Sequence, residues 1–273
     1  MDLPEQHEKA IRICDLTYRY ADGVQALACV SLEISRAETV AIVGPNGAGK
    51  TTLMLHLNGI LPQARASWWA KVSHGHSHSE NATTTTDPKG GVWIDGIQVE
   101  PKALPEIRKR VGLLFQDPDD QLFALSVIDD VAFGPMNHGM RREDALKWAL
   151  ECLQLVGLED LANRPPNHLS FGERKRVCLA GVLACRPTII VMDEPTANLD
   201  PRARRRFIEL TASLNMTKVI VTHDLEMVLE ICGRAILIDQ GRVVAEGDPA
   251  ELLSNKELIE KHGLEVPVSL ARQ

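Results

Sequence analysis

Residues Gly44 to Thr51 read GPNGAGKT, and no other stretch restricts the fold as strongly. They match G-x-x-x-x-G-K-[ST], with a continuous β-branched run before them (TVAIVG, Thr39 to Gly44) and an amphipathic run after them (TTLMLHLNG, closed by Gly59). The first run reads as a buried parallel strand and the second as a helix. Between two such elements, glycines let the chain curl until successive N–H groups point inward. The result is a nest for phosphate oxygens, to which the helix N-terminus adds its positive end. Gly44, Asn46, Gly47, Ala48 and Gly49 are the candidate cradle, with Thr52 beside it. Lys50 is expected to reach the β- and γ-phosphates of a nucleotide, and the Thr51 hydroxyl to ligate Mg²⁺.

A metal site of this kind needs a second contributor. The run IIVMDE places Asp193 at the C-terminal end of another buried strand, where ligands gather in open parallel sheets. Asp193 is expected to hold Mg²⁺, directly or through water. Its neighbour Glu194 can act as general base on an attacking water. Together the two elements imply a nucleoside triphosphatase.

The remaining pattern fits an α/β chain. Residues Ile11 to Ile34 alternate around an ADG turn, as two antiparallel strands would. GVWIDGIQVE reads as a hairpin turning at Asp95-Gly96, and AILIDQGRVVAEGD as another. RVGLLFQ (Arg110 to Gln116), TIIVMDEP and KVIVTHD read as strands, whereas Asp144 to Gly157, Glu173 to Cys185 and the tail from Pro249 to Gln273 read as helical. The expected fold is a P-loop NTPase with a mainly parallel core sheet, an antiparallel β subdomain and an inserted helical subdomain. Its main domain would span 1–247, with helices inserted over about 121–185 and a short helical extension over 248–273.

Composition excludes several classes. The formal net charge is −7, so a nucleic-acid face, which needs clustered Lys and Arg, is not expected. The basic run Arg202 to Arg206 reads as a solvated helix face. Six scattered cysteines without a C-x-x-C pair read as small buried hydrophobes in a reducing compartment. No apolar run approaches the roughly 18 residues that span a bilayer, and MDLPEQHEKA lacks the apolar core of a secretion signal. A role at a membrane would therefore depend on other chains. Between about 64 and 90 the periodicity dissolves, as in a mobile surface insert. Within it SHGHSHSE carries His74, His76 and His78, whose imidazoles suit a loosely held transition metal, although a solvated insert is the plainer reading.

The stretch HLSFGERKRVCLAGVLA, from His168, resembles the signature sequence of the ABC ATPases. On physical grounds Ser170 and Glu173 form S-x-x-E, a capping box at a helix start. The resemblance adds that Ser170 and Gly172 bind the γ-phosphate of an ATP held by a second subunit. It also implies that Gln116 links the nucleotide and its Mg²⁺ to a membrane partner, and that Ala197 to Asp200 crosses the dimer interface. His223 would contact the γ-phosphate, and Tyr20, with Tyr18 as the rival, would stack on adenine. The resemblance covers about Ile11 to Gly247. Phe171 and Glu173 depart from the common signature; a carboxylate there is unhelpful to a phosphate unless it turns back into the capping box, and Arg174, Lys175 and Arg176 are the candidates to offset it.

The variants LSFGE and FQDPDDQLF are similar to those of the energy-coupling factor branch, which powers uptake of vitamins and of nickel or cobalt ions, and most like its cobalt and nickel ATPases. That resemblance implies an ATP- and Mg²⁺-dependent subunit at the cytoplasmic face of a membrane. It would pair as a homodimer and work with a membrane coupling subunit and a substrate-binding membrane subunit. Coupling helices would meet Gln116 to Phe123, with Leu122 and Phe123 supplying apolar contact and Asp117, Asp119 and Asp120 meeting arginines. Vitamin uptake, and a soluble ABC ATPase acting on DNA or ribosomes, are the alternatives.

Overall fold

The computed structural model describes residues 9–61 and 90–271; the stretch with His74, His76 and His78 lies outside them. In chain order, strands β1 (Lys9–Arg19), β2 (Gln25–Ser35) and β3 (Thr39–Val43) lead to helix α1 (Lys50–Leu57). Strands β4 (Gly91–Ile94) and β5 (Ile97–Gln98) precede α2 (Leu104–Arg110) and β6 (Val111–Leu114). Helices α3 (Val127–Asn137), α4 (Arg142–Leu155) and α5 (Phe171–Ala184) follow, then β7 (Ile189–Asp193), α6 (Pro201–Ser213), β8 (Thr217–Val221) and α7 (Leu225–Ile231). The hairpin β9 (Arg234–Asp239) and β10 (Arg242–Gly247) leads to α8 (Pro249–Ser254), α9 (Lys256–Lys261) and α10 (Val268–Ala271).

The described residues fall into two compact units. The first takes in positions within 1–36, 42–108 and 234–273. Its antiparallel sheet has the order β2-β1-β4-β5, and the end of β3 runs beside the hairpin partner β9. Both hairpins turn on adjacent left-handed residues, Asp95 with Gly96 and Gln240 with Gly241, which is the twist a two-residue turn needs. The alternation expected of β1 and β2 holds, but bulges interrupt it around Asp15 and Cys29, both left-handed. That local twist leaves Cys29 exposed, unlike the buried cysteine expected.

The second unit takes in 37–41 and 109–233. Strands β6, β7 and β8 are parallel neighbours, with the start of β3 next to β8. Helices α3, α4 and α5 enclose a core of their own around Val131, Ala149, Cys152, Val177 and Ala180. A second cluster, including Leu114, Leu179, Met192, Phe207 and Ile220, joins α5, α6 and the strands. Arg202, Arg205 and Arg206 of α6 are exposed, Arg204 turns to the Asp224 carboxylate, and Phe207 and Ile208 are buried.

Two boundaries differ from expectation. The strand expected over Arg110 to Gln116 covers only Val111–Leu114, because the next N–H, that of Phe115, donates to the Gln121 side chain instead of a strand neighbour. The tail is three short helices instead of one; Asn255 ends α8 and caps α9 with its own side chain. All six cysteines are free thiols. No helix among the described residues is long and apolar enough to cross a membrane.

Candidate functional site

In the first unit, β3 delivers the chain at Val43 and α1 receives it at Lys50. Gly49 caps α1 with φ 99° and no side-chain hydrogen bond, so the first-turn N–H groups are not consumed by a cap. A Cβ on Gly49 would stand 2.3 Å from the Ala26 carbonyl oxygen, which leaves room for nothing but glycine. Gly44 and Ala48 are buried, whereas Asn46 and Gly47 are exposed at the tip of the turn. Lys50 folds its ammonium back onto its own loop, donating to Gly44 O at 2.8 Å and Pro45 O at 2.9 Å. Thr51 is exposed and Thr52 buried.

The two tyrosines separate cleanly. Tyr18 is 3% exposed and Tyr20 is 36% exposed, so Tyr20 alone offers a ring to a base. Tyr18 braces it edge-on at 5.0 Å and is braced in turn by His56 at 4.8 Å. The Tyr20 hydroxyl lies 2.9 Å from Thr52 Oγ1, tying the aromatic strand end to the phosphate-loop helix. Burial lowers the pKa of His56, and its Nδ1 lies 2.7 Å from Thr52 O.

In the second unit, β7 ends on Asp193, which is 8% exposed and opposite Val221 of β8. Glu194 then turns out of the strand at φ 42°, a left-handed geometry that costs a non-glycine residue about 1–2 kcal/mol. Its N–H stays on the ladder with Val221 O at 2.8 Å, and its side chain is gripped on both oxygens. One oxygen accepts from the Thr222 hydroxyl at 3.0 Å and the His223 N–H at 3.3 Å; the other lies 2.8 Å from His223 Nδ1. The His223 ring is two-thirds exposed and can swing without disturbing the core, whereas the Glu194 side chain is mostly buried. Asp224, next in the chain, anchors this corner. Burial alone would raise its pKa, but Arg204, Thr196 and the Met227 N–H outweigh that and hold the carboxylate low.

The capping box forms as expected. Glu173 Oε2 accepts from the Ser170 N–H and hydroxyl, both at 2.8 Å, and the Ser170 hydroxyl accepts from the Glu173 N–H at 3.4 Å. These bonds lower the Glu173 pKa, so its charge is spent on the helix start. Of the three basic residues after it, Arg176 helps hold that charge, while Arg174 pairs with Asp119 at 2.5 Å. Lys175 turns inward to the carbonyls of Phe115, Gln116 and Glu194. Gly172 packs so closely on α6 that a Cβ would meet that of Ala203 at 2.9 Å. Asp200 caps α6 through the N–H groups of Arg202 and Ala203.

Gln116 is exposed, and its carbonyl is held by Lys175 at 2.6 Å. Asp117 accepts from the Asp119 N–H, so both Asp117 and Asp119 already have partners within the chain. Asp117, Asp119 and Asp120 are all exposed, and Arg174 of this chain already pairs with Asp119. Beyond these exposed acids the loop also presents apolar side chains, with Phe123 66% and Leu125 91% exposed beside a groove of about 420 Å³ lined also by Leu122, Pro165 and His168. Sequence reasoning missed Thr222, Gln121 and Lys175 as site residues. Only Lys175 left a signal, a cation on the buried face of α5 with Cys178, Leu179 and Val182.

The family described as ABC transporter matches residues 27–197, more than half of the chain. An energy-coupling factor transporter ATP-binding protein, EcfA, of Carboxydothermus hydrogenoformans is 43% identical over 265 residues, covering 95% of this chain and 88% of the relative. A solved structure of cbiO1 from Clostridium perfringens, described as part of the ABC transporter complex cbiONQ, superposes with a TM-score of 0.75 at 34% identity, covering 93% of this chain and 94% of that one. The ATP-binding cassette MJ0796, dimeric and bound to ADP and Pi in a post-hydrolysis state, aligns with a TM-score of 0.71 at 29% identity, covering 88% and 98%. The P-loop α/β fold is thus that of known ABC cassettes, and this chain belongs to the ABC transporter family as an ATP-binding subunit of the energy-coupling factor type.

Proposed function

We propose that this chain is the ATP-hydrolysing subunit of an importer for cobalt or nickel ions, working at the cytoplasmic face of a membrane. The observation that carries the hydrolytic part is the Glu194 carboxylate, mostly buried and oriented by Thr222 and His223. A carboxylate so held is suited to take a proton from water at a defined place. One of its contacts must first exchange, and the exposed His223 is the one free to leave. In that position His223 can donate to the γ-phosphate.

Lys50 would exchange the carbonyls of Gly44 and Pro45 for β- and γ-phosphate oxygens. The backbone N–H groups of Gly44 and of Asn46 to Gly49 would cradle the same phosphates, and Tyr20 would stack on adenine. Thr51, Gln116 and Asp193 each offer a hard oxygen, the kind of ligand Mg²⁺ takes. Mg²⁺, when bound, neutralises phosphate charge. Ser170 and Gly172, at the start of α5, would serve the ATP of a second copy, with Asp200 near the same interface; the dimeric ABC cassette relative supports this pairing. Exposed Phe123 and Leu125 beside the groove are suited to a short amphipathic helix of a membrane subunit.

The membrane role is tested by uptake of radiolabelled cobalt and nickel in cells carrying wild-type or Glu194→Gln protein. Uptake should vanish in the variant. Unchanged uptake of both ions would overturn the metal reading and leave the ATP-binding family intact.

A further inference from the structure

Lys175 is among the largest side chains with no exposure, and the reaction as described above does not use it. It lies on α5 among buried Cys178, Leu179 and Val182, where an aliphatic residue would pack without desolvating a charge. Its ammonium has three protons and no acceptor. Three backbone carbonyls receive them: Gln116 O at 2.6 Å, Phe115 O at 3.0 Å and, more loosely, Glu194 O at 3.4 Å. Phe115 and Gln116 follow β6, and Glu194 follows β7. At these points the chain leaves its strands, and the carbonyls need other donors.

The cost of this arrangement is visible in Lys175 itself. Burial pulls its pKa down to about 8, with Cys178, Asp193, Asp117 and Glu194 opposing that fall. At neutral pH it remains largely an ammonium with all three donors. The same helix begins at Ser170 and Gly172, so a single rigid element carries the signature residues at its start and this cation one turn further in.

We propose that Lys175 is a positioning residue for ATP hydrolysis, tying Gln116 and Glu194 by their backbone carbonyls to the helix that begins at Ser170. The proposal rests on Glu194 as base and Gln116 as the link to the partner. It predicts that an ATP molecule bound to the loop at Lys50 feels no loss when Lys175 is removed, because none of the three carbonyls belongs to that loop. The base, however, loses its fixed place.

The test compares Lys175→Met, which keeps the length and removes the donors, with Lys175→Gln, which restores an amide N–H₂. Steady-state ATP hydrolysis by the full chain, binding of a fluorescent ATP analogue and amide hydrogen exchange would be measured on each. Lys175→Met should lower kcat about tenfold or more, with KM and analogue affinity within about threefold, and Lys175→Gln should recover part of the loss. Exchange should quicken at 115–117 and at 194, 196 and 197 in the Met variant. A kcat within twofold of wild type, a parallel fall in analogue affinity, or a Gln variant no better than Met would overturn the proposal. If Lys175→Met does not fold, Lys175→Gln against wild type decides: kcat lowered at unchanged affinity supports the strut, and unchanged kcat sinks it. Near-normal turnover in Glu194→Gln would instead remove the base assignment, and the exchange data alone would then judge Lys175.

Discussion

The phosphate loop of the first unit and the acid–histidine corner of the second solve different physical problems. The loop is built of backbone: its shape comes from Gly49, which sits too close to Ala26 for any side chain, and from an α1 start with no side-chain cap. Even the lysine bonds to carbonyls of its own turn. The corner is built of side chains. Glu194 is aimed by Thr222 and His223, and His223 is followed by Asp224, which Arg204 and Thr196 clamp. A backbone nest grips any phosphate that reaches it, whereas a side-chain corner acts through one group in one orientation. The contrast predicts that damage to the loop abolishes binding and damage to the corner abolishes turnover.

The sharpest separation comes from Glu194→Gln. Removing a general base costs about 10²- to 10⁴-fold in rate. The variant should still bind ATP and accumulate as a closed dimer on size exclusion; a variant that hydrolyses near the wild-type rate ends the role of Glu194. Gly49→Ala attacks the other region. Forcing a Cβ against the Ala26 oxygen should destabilise the protein by about 2–4 kcal/mol in urea denaturation and remove nucleotide binding. Wild-type affinity in that variant would break the distinction.

A smaller effect is expected of Thr222→Val, which deletes one hydrogen bond to the buried carboxylate and keeps the shape. The loss of about 1–2 kcal/mol should show as a kcat some tenfold lower with KM unchanged. The smallest is Ser170→Ala, which removes the cap of α5 at a cost of about 1 kcal/mol. Its pH dependence follows from Glu173, whose pKa is lowered first by the Ser170 hydroxyl and then by the Ser170 N–H. A carboxyl with a folded pKa below its unfolded value, about 4.3, stabilises the fold above that value and ceases to as pH falls through the folded one. The stability gap between wild type and Ser170→Ala should therefore be constant near neutral pH and narrow below about pH 4. A gap that persists in acid would assign the cap to the hydroxyl alone.

Legibility followed sequence distance. GPNGAGKT and S-x-x-E were readable because every atom they need lies within a few residues. The turn at Asp95-Gly96 was readable for the same reason. The choice between Tyr18 and Tyr20 was not, since one strand carries both and only packing buries the first. Lys175 looked like one more charge beside Glu173, because a helix periodicity does not say which carbonyls will stand under its face. The acids of QDPDDQ looked free for a partner, and Arg174, 55 residues from Asp119, occupies one of them.

The sequence by itself determined the phosphate loop, the strand that ends in Asp193 and Glu194, and the capped helix at Ser170, because short-range sterics and local hydrogen bonds allow those residues little else. The tertiary structure alone decided which side chains hold the Glu194 carboxylate, where the buried ammonium of Lys175 is spent, and that Phe123 and Leu125 stand exposed in the loop beyond the acids. Those outcomes depend on carbonyls and hydroxyls from separate segments meeting within hydrogen-bond reach, and the fold brings them together where no local pattern foretells it.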